Sequence, residues 1–376
     1  MTLTTDTDRR HLTRAIELAE SGRGKVTPNP LVGAVIALDG ETLGEGAHHR
    51  FGGPHAEVEA IADAAGADLD GATLYVSLEP CCHEGKTPPC TDAIRRSGIG
   101  RVVIASDDPS AHASGRGLGI LRDDGIEVVV ADGELASRAR LMNQPFRKHA
   151  RTGIPWVLFK SAMTLDGKVA TASGDSKWIS GEASRMLAHR WRAECDAVAV
   201  GIGTALADDP MLTSRTDPTH PAHRQPRRVV FDSEARLPIT SKLVRDAREV
   251  PLTVVVSRAA PRAATDALVT HGADVIVATG ENEHARVHSA LEQLGAAGVS
   301  SILLEGGPHL AGAFMDAGEI DEVRMFLAPL VLGGRAARDP LEGEGSETIA
   351  AAVKALTLEC ERIDEDLLVS ARIKEW

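Results

Sequence analysis

Pro54-His55-Ala56-Glu57, followed by Pro80-Cys81-Cys82-His83-Glu84-Gly85-Lys86-Thr87-Pro88-Pro89-Cys90, brings an imidazole, a carboxylate and three thiols into one short part of the chain. Imidazole and thiolate are the usual ligands of zinc, and a catalytic zinc site keeps three protein ligands and one water. His55, Cys81 and Cys90 supply that set for one Zn2+ per chain. His55 and Cys90 both stand beside an expected helix N-terminus, where the positive end of the helix dipole favours a thiolate. Glu57, two residues beyond the histidine, is the expected proton shuttle. The alternative is a structural zinc knot with Cys82 or His83 as fourth ligand. A knot has no use for a carboxylate beside its histidine.

The segment resembles the zinc-deaminase signature H-x-E with P-C-x-x-C, with one departure. Eight residues, not two, separate Cys81 from Cys90. A longer loop between the thiolates changes the pocket wall and with it the base accepted.

Working outward, strands and helices alternate. Residues 8–21 read as an amphipathic helix, and Leu31–Leu38 as a strand ending in the hairpin signal Asp39-Gly40. A strand at Thr42–Ala47 returns antiparallel. Pro54 is expected at the first helical position, followed by a strand at Thr73–Leu78 and a helix Thr91–Ser97 stopped by Gly98. Strands at Arg101–Ala105 and Ile126–Val130 finish an α/β layer. The basic stretch FRKHARTG, 146–153, reads as a linker, placing domains at 1–148 and 153–376. Beyond it, strands at Ile154–Lys160, Asp196–Val200, Arg228–Phe231, Leu252–Val256, Asp274–Val277 and Ser301–Leu304 imply a mainly parallel sheet covered on both faces. Glu322–Leu327 and a hairpin near the C-terminus add strands, and His220–Arg227 reads as a surface loop. Two strand–glycine–helix turns, Gly201-Ile202-Gly203 and Gly306-Gly307-Pro308, suit a phosphate at a helix N-terminus. Neither completes G-x-G-x-x-G/A, so each alone is equally a tight connection.

Composition limits the partners. A chain of 376 residues exceeds one ordinary core, and its net charge of −13 argues against nucleic acid, whose affinity comes from clustered Lys and Arg. No apolar run reaches the roughly 20 residues of a membrane span. The N-terminus lacks a signal-peptide core, so a cytoplasmic location is expected. Five cysteines in such a chain make a poor disulfide framework.

The blocks TPNPLVGAVI (27–36), PHAEVEAI (54–61), LEPCCHEGKTPPC (78–90), DPSAHASGRG (108–117), KSAMTLDGKVATASGDSKWIS (160–180), LADDPMLT (206–213) and LLEGGPHLAGAF (303–314) occur in this order. They resemble the bifunctional riboflavin-biosynthesis deaminase/reductase family over nearly the whole chain. The resemblance implies an N-terminal cytidine-deaminase-like α/β/α domain and a C-terminal dihydrofolate-reductase-like α/β domain. The first would deaminate a phosphorylated pyrimidine, 2,5-diamino-6-(5-phosphoribosylamino)pyrimidin-4(3H)-one; the second would reduce the product's ribosyl group with NADPH. It puts cofactor contacts on Ala162, Trp178, Thr204, Asp208, Ser233, Gly307, Pro308, His309, Leu310, Ala311, Gly312 and Ala313. Substrate contacts fall on Ser176, Arg192, Leu212, Arg215 and Glu305. Arg192 and Arg215 can each offer a guanidinium fork to a ribose phosphate, though both could instead form ion pairs. Cys82 stands where the family usually has Ser. Strand Leu252–Val256 ends in Ser257-Arg258, with Arg262 at a helix start, which nominates Arg258 for the NADPH 2′-phosphate. Homo-oligomerisation stays open, as do a deaminase with an inert second half and a non-enzymatic zinc module.

Overall fold

The computed structural model describes residues 5–376 apart from 86, 112, 216, 218, 219, 221 and 223. The chain divides into two compact units, Met1–Thr152 with Trp376, and Gly153–Glu375.

The first unit runs α1 (Asp6–Glu20), β1 (Gly33–Leu38), β2 (Glu41–Ala47), α2 (Ala56–Asp63), β3 (Thr73–Val76), α3 (Cys90–Ser97), β4 (Arg101–Ile104), α4 (Arg116–Asp123), β5 (Glu127–Val130), α5 (Gly133–Met142) and α6 (Gln144–Thr152). Its sheet has the order β2-β1-β3-β4-β5, with β1 antiparallel to both neighbours and β3, β4 and β5 parallel. Alternation along β1 feeds two cores. Ala34 and Ile36 pack with α2, α3 and α4, whereas Val35 and Ala37 pack with α1 and α5. Glycine sets how closely α2 approaches: a Cβ on Gly46 would stand 2.2 Å from the Ala56 carbonyl oxygen. Only a bare backbone lets this helix, which carries Glu57, lie directly on β2.

Two expectations need correction here. Pro54 is not the first helical residue; His55 is the N-cap in extended conformation and α2 starts at Ala56. The stretch 146–153 is not a linker, because residues 144–152 form α6. Its basic side chains are not all solvated: Arg147 is 1% exposed, pairs with the Asp107 carboxylate at 3.3 Å and donates to the Ser106 hydroxyl and to the main-chain oxygens of Asp107 and Trp376. A buried cation paired with a distant carboxylate and main-chain oxygens is indistinguishable in sequence from a solvated one.

The second unit runs β6 (Trp156–Thr164), α7 (Glu182–Glu194), β7 (Ala197–Gly201), α8 (Ile202–Asp208), β8 (Arg227–Phe231), α9 (Lys242–Arg245), β9 (Leu252–Val256), α10 (Arg262–Thr270), β10 (Asp274–Val277), α11 (Glu283–Ala296), β11 (Ser301–Leu304), α12 (Pro308–Asp316), β12 (Glu322–Ala328), β13 (Thr357–Ile363) and β14 (Asp366–Arg372). Sheet order is β10-β9-β8-β7-β11-β6-β12-β14-β13, parallel from β10 to β12 and closed by the antiparallel C-terminal hairpin. From β7 the chain moves outward to β8, but from β11 it crosses β6 to β12. The direction therefore reverses between β7 and β11, and ligands of open α/β sheets gather at such a point beyond the strand C-termini. The Pro- and His-rich stretch 220–227 lies partly outside the described residues, at 221 and 223.

Candidate active sites

In the first unit, the strand end at β3 and the starts of α2 and α3 converge. His55 Nδ1 lies 3.2 Å from Cys90 Sγ and 3.5 Å from Cys81 Sγ, and all three ligand atoms fall within 4.8 Å of one another. Zinc–nitrogen and zinc–sulfur bonds at a tetrahedral angle set such atoms about 3.5 Å apart. The donor set therefore fits zinc without rearrangement. Among the described residues this is the only such cluster, and neither Cys82 nor His83 joins it. His55 turns its other nitrogen to the Thr87 hydroxyl at 3.3 Å, which orients the ring. The Cys90 backbone N–H donates to Cys81 Sγ at 3.3 Å. Hydrogen bonding from Cys90 and from His55 holds the Cys81 thiol down to about 4. The same hydrogen bond from the other side, together with burial, pushes Cys90 up.

Glu57 follows on the first turn of α2 and is 3% exposed. Burial, reinforced by the Cys81 charge, pushes its carboxyl up to about 7. Asn29 and His48, which the sequence reading missed, complete this corner. His48 meets the His55 ring edge-on at 5.3 Å, contacts the Pro54 carbonyl through Nδ1 at 2.8 Å and lies 3.0 Å from Asn29 Nδ2. The signal was available in TPNP and in His48-His49, polar residues at the ends of apolar strands.

In the second unit both glycine turns stand at the reversal point. Gly201 is the last residue of β7 and the N-cap of α8; Gly307 is the N-cap of α12, with Pro308 at its first position. Thr204 faces the second turn, since a Cβ on Gly307 would lie 3.2 Å from its hydroxyl. A cleft of about 400 Å³ opens here, lined among others by Gly201, Gly203, Ser233, His309 and Leu310. Of the run 307–313, Ala311 and Ala313 instead pack into the hydrophobic core. Gly312 gives way to the 342 segment, because a Cβ there would overlap the Glu342 carbonyl at 1.6 Å.

Asp208 pairs with Lys177 at 3.5 Å, and the exposed Trp178 ring lies under Arg185 at 4.6 Å. Ala162 and Ser176 are half-buried, Leu212 is buried with φ 54°, and Arg215 is exposed. Arg192 commits its fork to Glu305 at 2.6 and 2.7 Å and a third N–H to the Thr213 carbonyl. It is thus anchored as an ion pair. Burial would raise the Glu305 carboxyl, yet the Arg192 charge, with Lys160 and His189, holds it down to about 2. Lys160 on β6, not named as a site residue from the sequence, interacts electrostatically with Glu305 and lies 5.8 Å from the Phe326 ring. Burial lowers its pKa against the raising effect of Glu305. A lone lysine inside an apolar strand was its only mark in the sequence.

Residues 5–106 match the cytidine and deoxycytidylate deaminase zinc-binding region, and residues 155–369 match the RibD C-terminal domain. The chain is 42% identical to the riboflavin biosynthesis protein RibD of Actinobacillus pleuropneumoniae over 97% of its length and 95% of the relative. It is 39% identical to RibD of Aquifex aeolicus, over 96% and 97%. Among solved structures, Acinetobacter baumannii RibD superposes with TM-score 0.86 at 35% identity, covering 98% of this chain and 99% of that one. A Thermotoga maritima diaminohydroxyphosphoribosylaminopyrimidine deaminase/5-amino-6-(5-phosphoribosylamino)uracil reductase superposes with TM-score 0.84 at 36% identity and the same coverage. With both its halves and nearly its full length matched, the chain belongs to the RibD family of riboflavin biosynthesis proteins.

Proposed function

We propose that residues 1–148 deaminate 2,5-diamino-6-(5-phosphoribosylamino)pyrimidin-4(3H)-one and that residues 153–376 reduce the product with NADPH to 5-amino-6-(5-phosphoribitylamino)uracil, both in the cytoplasm. The observation that carries the first step is the His55–Cys81–Cys90 triangle with Glu57 buried beside it. Bound zinc lowers the pKa of a water to about 7. His55, Cys81 and Cys90 would hold that zinc, and Glu57 would take a proton from the attacking water and return it to the amine leaving C2 of the pyrimidine. A carboxyl held near neutrality by burial can do both. Thr87 keeps His55 in its ligating orientation throughout.

For the second step, the two glycine turns would hold the NADPH, which would supply the hydride taken up at C1′ of the ribosyl group. The C1′–ring-oxygen bond breaks and the oxygen takes a proton. Lys160, beside the Glu305 carboxylate and with its pKa lowered by burial, can supply that proton. Arg192 holds Glu305 in place, and Arg215 is the cation available to the substrate phosphate.

The test is one coupled assay on the full chain, following ammonia release and NADPH oxidation with the phosphoribosyl pyrimidine. Ammonia without NADPH consumption would reduce the chain to a deaminase, and absence of both would refute the proposal.

A further inference from the structure

We infer that Arg286, seconded by Arg258, binds the 2′-phosphate of the cofactor's adenosine and thereby separates NADPH from NADH. The inference rests on the dinucleotide reading above and assigns the cations that the matched motifs leave unassigned. The cleft at the reversal point adjoins a second one of about 360 Å³, and the two share Ser257, Ala278 and Arg286. The second also receives Arg258, Thr279 and Glu281 from the ends of β9 and β10. A pyrophosphate belongs at the glycine turns and helix N-termini beside β7. From there to β9 is two strand spacings, about 10 Å, the reach of one nucleoside. An adenosine in the first cleft therefore carries its ribose edge towards the second.

The charges at that edge are the decisive observation. Among the described residues three arginines, Arg236, Arg258 and Arg286, line the two clefts, and one of them is already engaged. Arg236 stands 3.9 Å from Asp232 and 3.7 Å from Glu234, whereas Arg262 pairs with Asp266 and lines neither cleft. The expected help from Arg262 is therefore not available in this arrangement. Among the described residues, the guanidinium groups of Arg286 and Arg258 have no hydrogen-bond or ion-pair partner. Arg286 is half-buried on α11, at the junction of the two clefts, and long helical side chains lean towards the helix N-terminus, here towards the cleft. Two unpaired guanidinium groups on one small concavity repel each other until a doubly charged, fork-matching anion arrives. The Ser257 hydroxyl is occupied with the Ser233 carbonyl at 2.8 Å, so the arginines are the main donors. Glu281 is the one carboxylate lining this second cleft among its described residues, and it opposes the phosphate.

Direct titration of the full chain with NADPH, NADH, 2′,5′-ADP and 5′-AMP tests the inference. For Arg286→Ala, NADPH and 2′,5′-ADP should bind about ten- to a hundredfold more weakly, the cost of a charge-assisted contact, with NADH and 5′-AMP within about twofold. Arg258→Ala should show the same selectivity with a smaller loss, and Glu281→Gln should tighten NADPH alone. Equal losses for NADPH and NADH, or an unchanged NADPH affinity in the Arg286/Arg258 double variant, would overturn it. A parent chain that binds NADH as tightly as NADPH would instead remove the NADPH reading beneath it, which these same titrations distinguish.

Discussion

Replacing Glu305 by Gln probes the most strongly coupled pair in the second unit. The Arg192 and Glu305 side chains are 17% and 11% exposed and joined by two hydrogen bonds. Gln keeps the shape but removes the charge, leaving Arg192 buried without its counter-ion, which costs about 3–5 kcal/mol. A second route gives the same scale. Holding the Glu305 carboxyl at about 2 instead of 4.5 corresponds to about 3 kcal/mol. Because the folded value lies below the unfolded one, this stability is present above pH 4.5 and is lost as pH falls towards 2. In a unit of this size each kcal/mol moves Tm by about 2–4 °C. Calorimetry of the full chain should then show the reductase transition falling by roughly 6–20 °C in Glu305→Gln at neutral pH. The difference from the parent should shrink as the buffer is acidified below pH 4. An Arg192→Met/Glu305→Leu double variant should recover most of the stability, since an apolar pair avoids the desolvation cost, yet should not recover reduction. A Tm change under 2 °C in Glu305→Gln, or reduction restored in the double variant, would refute this reasoning.

Further outcomes follow from the first unit. Metal analysis should find one zinc per chain, most of it lost in Cys81→Ser or Cys90→Ser and retained in Cys82→Ser. Glu57→Gln should keep its zinc and lose about 10²- to 10⁴-fold in ammonia release, while pre-deaminated substrate is still reduced. Asp8, 1% exposed and bonded to Arg101 at 2.6 and 3.0 Å, is held down to about 2 by those bonds against its burial. Its contribution of about 2 kcal/mol is present above pH 3.8 and lost as pH falls towards 2. An acid titration of Asp8→Asn should show the deaminase unit already weakened at neutral pH, with less further loss below pH 4.

The His55–Cys81–Cys90 cluster with Glu57 beside it was legible in the sequence because metal chemistry needs particular residue types close to helix starts, and local spacing records both. Period-two and glycine-turn patterns likewise marked most strands, including the parallel run from β6 to β11. The helix at Gln144–Thr152 was not legible, since the carboxylate and main-chain oxygens that satisfy Arg147 come from Asp107 and Trp376, far away in the chain. His48 and Asn29 became part of the zinc corner only when β2 and the loop before β1 met the start of α2. For Arg192 the sequence left a phosphate fork and an ion pair both open, and Glu305, more than a hundred residues later, occupies it. Arg258 was nominated by its place at a strand end, whereas Arg286 needed two clefts to become visible. Local sequence carries backbone preference and ligand type. Which charges are already neutralised depends on pairs brought together by the sheet, and that only the tertiary structure decides.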